Sequence, residues 1–418
     1  VCPNDGKEEI YVMGNPPYVG NKLQTEEQRE DMMSALCDLK DKKGLDYIAG
    51  WFWKGAKYIC DTKAKYAFVT TNSITQGEQV NMLWSPIYGM GLTISFAYTS
   101  FKWANNAKNN AAVICEIIGV SNQYTGPRLF FNEKTKERLV VSNINPYLSV
   151  GDNVVVQKST KNLSGLPEMT FGSQALDKGH LILTEDEYHS LLEKYPDSGN
   201  LYRRISGSQE FLRSEVRYCI WITDDLREKA ESIPEIKERI RKVKEFRESS
   251  KRGNTADTAD CPWRFSLISY QPEEFIVIPR VSSENREYIP MGYLDADTVL
   301  LDSAFAIYKG DYWLFGVLSS KLHNIWVGAV GGRLKSDFRY SATLCYNTFP
   351  VPKLTEKQKQ TIAELAKKVI IARAGHTEMT LGDMYNFDRF PKDLADAHHA
   401  LDLAVERCYR EKPFESDE

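Results

Sequence analysis

Two consecutive prolines sit near the start of this chain, in Gly14-Asn15-Pro16-Pro17-Tyr18, and they restrict what can surround them. Each proline fixes its own φ and removes a backbone donor. Each also pushes the preceding residue out of the helical region. The run just before, Ile10-Tyr11-Val12-Met13, is apolar and rich in strand formers. The stretch therefore predicts a strand that ends in a stiff elbow, and open α/β sheets hold their ligands at the carboxyl ends of strands. On such an elbow Asn15 presents its side-chain carbonyl, the Asn15 and Pro16 backbone carbonyls face the same space, and Tyr18 adds a flat ring. Two acceptors beside an aromatic face suit an exocyclic amine on a planar heterocycle, which is how flipped-out bases are held. An ordinary proline turn is the plainer reading of the same letters.

The following segments supply a cleft. Thr25 and Gln28 form a capping-box signature for a helix reaching about Leu39. A second helix spans about Tyr47 to Cys60, its aromatics reading as core. Tyr66 to Thr71 reads as a buried strand, ending in the polar loop Asn72-Ser73-Ile74-Thr75-Gln76-Gly77 and a helix through Leu83. That unit returns the chain to the same sheet edge as Asn15. Strands at Thr93 to Thr99 and Ala111 to Val120 flank Phe101-Lys102-Trp103-Ala104-Asn105-Asn106, a loop whose amides, aromatics and lysines suit a base and its phosphates. Asn-rich loops also favour plain turns.

Composition removes some alternatives. A formal net charge of −4 over 418 residues gives no global basic field, which counts against a protein that simply coats nucleic acid. The eight cysteines contain no C-x-x-C pair, so neither a zinc site nor a disulfide framework is expected. No metal site is expected; His398-His399 reads as the exposed side of a late helix. No apolar run approaches the roughly 18 residues of a membrane span, so no membrane association is expected.

Asn-Pro-Pro-Tyr-Val-Gly, then Thr-Asn-Ser-Ile-Thr-Gln-Gly, then Phe-Lys-Trp-Ala-Asn-Asn-Ala-Lys resembles, in that order, the MmeI-like single-chain DNA N6-adenine methyltransferases of restriction–modification systems. The resemblance extends over essentially the whole chain. It implies an α/β fold: a partial class I, Rossmann-like methyltransferase sheet, then an α+β target-recognition domain and a C-terminal helical segment. The expected boundaries are 1–165, 166–350 (including a connecting region) and 351–418. It implies that Asn15, Pro16, Pro17 and Tyr18 hold the target adenine, and that Asn72, Phe101, Trp103 and Asn105 line the cleft. S-adenosylmethionine is the implied cofactor, double-stranded DNA the implied partner and the cytoplasm the implied location. An upstream nuclease in the same polypeptide is compatible with it, and magnesium would enter only there. No glycine-rich turn precedes the elbow, so the cofactor-binding residues are not assigned and this chain alone is expected to be inactive. A specificity module without catalysis, or an RNA or protein-glutamine methyltransferase, remain the alternatives.

Two further segments bear on DNA. A single helix from Leu226 to Ser250 carries many basic residues, fitting either phosphate contacts or a solvated face. In Gly331-Gly332-Arg333-Leu334-Lys335-Ser336-Asp337-Phe338-Arg339-Tyr340-Ser341, the period-two spacing would put Arg333, Lys335, Asp337 and Arg339 on one face of an extended segment. Lys335 donating to guanine and Asp337 accepting from cytosine could read one G·C pair. The resembling family places base-reading residues in the same stretch. A surface strand with a local ion pair is the plainer reading.

Overall fold

The computed structural model describes residues 4–103, 113–122, 126–334 and 336–414. The strand before the elbow is β1 (Tyr11–Gly14), paired in parallel with β2 (Lys65–Thr71). Between them lie α1 (Glu26–Ala35) and α2 (Ile48–Ile59). The capping box forms as expected: Gln28 N–H donates to the Thr25 hydroxyl, and Thr25 N–H donates to the Gln28 side chain. In α2, Phe52 and Trp53 are buried, whereas Trp51 is exposed. After β2 a 3-10 turn (Asn72–Thr75) leads into α3 (Glu78–Gly89), where the buried Trp84 indole donates to the Ile74 carbonyl.

The sheet continues with β3 (Leu92–Trp103), β4 (Val113–Asn122), β5 (Arg128–Asn132) and β6 (Glu137–Val141). Among the described residues its order is β1-β2-β4-β3-β5-β6, with β1 at an edge and β4 antiparallel to both neighbours. Phe101 and Trp103 were expected in a loop; they instead extend β3, and the remainder of that stretch, Asn105 included, lies outside the described residues. Helices α2 and α3 pack on the sheet through Phe52, Tyr66, Phe68 and Trp84, whose ring edges and faces meet at centroid distances of 5.0 to 5.8 Å. Gly119 of β4 has no side chain because the Phe96 ring occupies that place: a Cβ there would lie 2.1 Å from it.

The connecting region runs along the next core. Tyr147 packs against both the core of the six-stranded sheet and the following one. The second part comprises β7 (Thr170–Phe171), β8 (Ile182–Thr184), α4 (Glu185–Lys194), β9 (Tyr202–Ser206), α5 (Ser208–Arg213), β10 (Arg217–Ile220), α6 (Arg227–Glu231), α7 (Pro234–Glu248), α8 (Gly253–Ala256) and β11 (Phe275–Pro279). It continues through β12 (Val281–Ser282), β13 (Gly292–Leu294), β14 (Thr298–Leu300), β15 (Ala304–Tyr308), α9 (Tyr312–Leu318), α10 (Lys321–Val330), β16 (Gly332–Leu334) and β17 (Asp337–Arg339). Three small sheets result: β14-β9-β10-β8, β13-β11-β15-β7 and β12-β17-β16. The chain closes with α11 (Glu356–Ala374), α12 (Leu381–Met384) and α13 (Lys392–Glu406).

Two expectations fail here for physical reasons. The basic segment is not one helix: Pro234 has no N–H and starts α7, separating it from α6. Its cations serve the fold. Arg241 pairs with Glu238 and Glu245, and Arg239 with Glu187. Arg247 is fully buried and donates to five backbone carbonyls, those of Ala175, Leu176, Thr258, Cys261 and Arg264, at 2.7 to 3.0 Å. His398 is likewise buried rather than exposed, stacked on Tyr288 at 4.0 Å and bonded to the Tyr385 hydroxyl; His399 is the exposed member of the pair. Among the described residues no helix is long and apolar enough to cross a membrane.

Candidate functional site

The elbow sits at the carboxyl end of edge strand β1. Pro16 is buried and fixes the turn, while Asn15 and Pro17 are exposed and Tyr18 is half-buried. The Tyr18 hydroxyl lies 3.6 Å from the buried Cys115 thiol of β4, an anchor that fixes the orientation of the ring. Burial first, then the Cys115 contact, pushes the phenol up to about 12, and the Asn15 side chain partly offsets this. The ring is therefore neutral at physiological pH, with its face available for stacking.

Cys115 links the elbow to the other site segments. It stands opposite Thr71 of β2 on one side and Phe101 of β3 on the other, so these positions share a face of the sheet. Phe101 and Trp103 lie 6.1 Å apart between ring centroids, and Trp103 is 39% exposed. Next to Cys115, the fully buried Glu116 accepts hydrogen bonds of 2.7 Å from Thr75 of the Asn72–Thr75 turn and from Ser100 of β3. Burial raises its carboxyl to about 7.

A cleft of about 530 Å³ opens between the first and second parts. From the first part Asn72, Ser73, Gln76 and Gly77 line it; from the second, Arg280, Arg333, Arg339 and Ser341. Gly77 adopts φ +60° and ψ −148°, a conformation that favours glycine, where the turn passes the Gly332 backbone: a Cβ there would lie 3.4 Å from the Gly332 Cα. Asn15 and Tyr18 do not line this cleft; they connect to it through Cys115 and Thr71.

The segment expected to be continuously extended is a hairpin. β16 and β17 pair antiparallel, Arg333 opposite Phe338, Leu334 opposite Asp337 and Gly332 opposite Arg339. Cross-strand partners share a face, so Arg333 points away from the side carrying Asp337 and Arg339. The four charges thus do not share one face. The Arg333 guanidinium stacks 3.9 Å over the Phe338 ring and donates to the Ser336 and Gly328 carbonyls. Asp337 accepts a 3.3 Å bond from Glu284 N–H. Arg339 is exposed. Lys335 lies outside the described residues.

Comparison with known proteins follows this division. Residues 1–132 match the family model for the MmeI DNA-methyltransferase domain, 150–353 that for the MmeI target recognition domain, and 354–418 that for the MmeI C-terminal domain. The chain belongs to the MmeI family. It is 47% identical over its whole length to DNA methyltransferase A of Bacillus subtilis (strain 168), of which it spans 47%. Its fold superposes with a TM-score of 0.92, at 37% identity, on the solved structure of the type IIL restriction–modification enzyme MmeI in complex with DNA; the match covers 98% of this chain and 55% of that one. The chain thus spans about half the length of the MmeI-family relatives it matches.

Within this MmeI-type frame, sequence reasoning missed Cys115, Glu116 and Arg280. Glu116 carried a signal: it is the one charge inside the apolar run Val113-Ile114-Cys115-Glu116-Ile117-Ile118, and a carboxylate in a buried strand needs bonded partners. Arg280 carried none beyond following Pro279, because its role arises from strands distant in sequence.

Proposed function

We propose that this chain is the target-base and DNA-recognition part of an S-adenosylmethionine-dependent DNA N6-adenine methyltransferase that acts in the cytoplasm. In this reading residues 1–165 belong to the catalytic domain, 166–350 form the recognition domain with its connecting region, and 351–418 are a helical segment packed on the latter. The observation that carries it is the rigid elbow at the end of β1: Asn15 exposed, Pro16 buried, and the Tyr18 ring tethered to Cys115. The family models and the DNA-bound structural relative support the class of substrate.

The adenine would be turned out of the duplex and laid on Tyr18. The Asn15 side-chain carbonyl and the Pro16 backbone carbonyl accept the two N6 hydrogens, which draws the nitrogen lone pair out of the ring plane and towards the methyl donor. Bound S-adenosylmethionine supplies an electrophilic methyl group. A donor approaching along the accessible edge of β1, where Tyr11 and Met13 are 59% and 79% exposed, fits this arrangement. Catalysis by this chain is then positioning and electrostatics, since the acceptors gain strength as positive charge develops on N6.

The test uses the full-length enzyme containing this chain, with a labelled methyl donor and duplex DNA, followed by nucleoside analysis. N6-methyladenine is the expected product, and Asn15→Ala should lower the rate by roughly 10² or more without loss of DNA binding. Labelled cytosine, RNA or protein in its place would overturn the reading.

A further inference from the structure

Two rings on β3 sit where a regular strand would not put them. Residues three apart in a strand point to opposite faces. Yet Tyr98 stands opposite Ile117 and Phe101 opposite Cys115, two β4 positions that share a face. A register shift between Tyr98 and Phe101 makes this possible: a β-bulge holds the intervening Thr99 and Ser100. The bulge brings the Tyr98 and Phe101 rings to 5.5 Å between centroids, and it turns Phe101 and Trp103 to the face where Cys115 holds Tyr18. Glu116, next to Cys115, points to the opposite face, and there the Ser100 hydroxyl donates to its Oε1 at 2.7 Å. Its other oxygen is 2.7 Å from the Thr75 hydroxyl, at the end of the turn that begins at Asn72. One buried carboxyl thus spans β4 and ties the turn after β2 to the bulge in β3. A strand core needs no carboxyl at this position, and burying one is costly unless its bonds offset the lost hydration.

We propose that Glu116 is a positioning residue for the target base: its carboxyl pins the β3 bulge and so presents Phe101 and Trp103 on the Tyr18 side of the sheet. A one-residue slip at the bulge would turn both rings to the other face and away from Tyr18. Thr99 also resists that slip, because its hydroxyl accepts from Glu133 N–H at 2.8 Å, so loss of Glu116 loosens the bulge instead of abolishing it. The role needs two bonds and no charge. Glutamine at 116 keeps both, its amide donating to Thr75 and its carbonyl accepting from Ser100. The proposal rests on the base-methylation reading above and adds a residue that touches neither the base nor the methyl donor.

The experiment uses the full-length enzyme and duplexes carrying 2-aminopurine at the adenine it methylates, whose fluorescence reports a base turned out of the stack. Steady-state methylation of the unmodified duplex gives kcat and KM. Glu116→Ala and Ser100→Ala are each expected to lower kcat by roughly ten- to a hundredfold with KM for DNA almost unchanged. Both should also lower the fluorescence anisotropy of the bound 2-aminopurine, because the extruded base is held less firmly. Ser100 is exposed, so its truncation leaves no cavity and keeps the fold intact. Glu116→Gln is expected to keep the wild-type kcat and anisotropy. Ile59→Ala truncates a buried residue where α2 leads towards the start of β2, at the opposite end of the sheet, and serves as the control for stability alone. Assayed below its melting temperature, it should match wild type in both readouts. Wild-type kcat and anisotropy in either alanine variant of the tie, a loss in Glu116→Gln as large as in Glu116→Ala, or an equal loss in Ile59→Ala overturns the proposal while the methylation reading stands. A wild-type enzyme that methylates no adenine overturns the reading beneath it.

Discussion

Glu116 offers the most discriminating perturbation because its proton can be located from the bonds around it. The Thr75 hydroxyl has one hydrogen but stands 2.7 Å from Glu116 Oε2 and 3.0 Å from the Asn72 carbonyl. With Glu116 ionised, Thr75 can donate to only one of them. With Glu116 protonated, its own O–H donates to Thr75 Oγ1, Thr75 donates to Asn72, and Ser100 donates to Oε1, so every group is paired. A carboxyl held at about 7 instead of 4.5 contributes ~3 kcal/mol, fully present below pH 4.5 and lost as pH rises through 7. Glu116→Gln mimics the protonated form, its amide donating to Thr75 and its carbonyl accepting from Ser100, so it should be tolerated and should remove that pH dependence. Glu116→Ala leaves a cavity where the carboxyl packed and should cost ~2–4 kcal/mol, although Thr75 keeps its bond to the Asn72 carbonyl. Hydrogen–deuterium exchange of peptides covering Ser73–Thr75 and Ser100, corrected for intrinsic rates, reports this locally. Wild type should lose protection between pH 4.5 and about 7 and level off above that, and Glu116→Gln should not. Parallel pH profiles for the two proteins would refute the protonated-carboxyl account.

The other predictions concern separate parts of the molecule. Arg247→Met removes the donors of five buried carbonyls and should destabilise the second part by ~3–5 kcal/mol in chemical denaturation, with Arg247→Lys intermediate because lysine has only three donors. Burial holds His323 down to about 3 and His398 well below its usual range, so each subtracts ~1.4 kcal/mol of stability per pH unit below about 6.5, where only the unfolded chain takes up the proton. Asp402, raised from 3.8 to about 6, and Glu116, raised from 4.5 to about 7, act in the opposite sense within those two intervals. Melting curves should therefore be nearly flat between pH 5 and 6 and fall steeply below 4.5, and replacing His398 with a neutral aromatic should soften that fall. Gly119→Ala places a methyl against Phe96 and should cost ~1–3 kcal/mol in thermal unfolding, partly recovered by a smaller residue at 96.

What the sequence made legible was local. The proline elbow, the Thr25–Gln28 capping box and the strand at Tyr66 to Thr71 depend on neighbours within a few residues, and the fold reproduces them. Pro234 was an equally local signal that the basic helix must break, outweighed by the long run of helix formers around it. The remaining differences come from distance along the chain. His398 is buried because Tyr288 and Tyr385 close over it, and Arg247 because loops some 70 residues earlier supply its carbonyls. The sequence between β16 and β17 holds neither glycine nor asparagine, the residues that mark tight hairpins, so period-two charges read as one strand instead of two.

That hairpin changes what the recognition segment can be asked to do. In a single extended strand the four charges would be equivalent candidates for base contact. The pairing of β16 with β17 sorts the three described ones by face: Arg333 turns towards α10 and is occupied by Phe338, Ser336 and Gly328, while Asp337 and Arg339 stand on the other face with Leu334. A side chain already stacked and bonded within the protein cannot move to a base without giving up those partners, so substitutions at Arg333 act on the hairpin as a whole and on all sequences alike. Exchange of Asp337, on the face away from Arg333, is then expected to alter the sequence read by the full-length enzyme without weakening its grip on DNA, which mapping of the methylated sites checks.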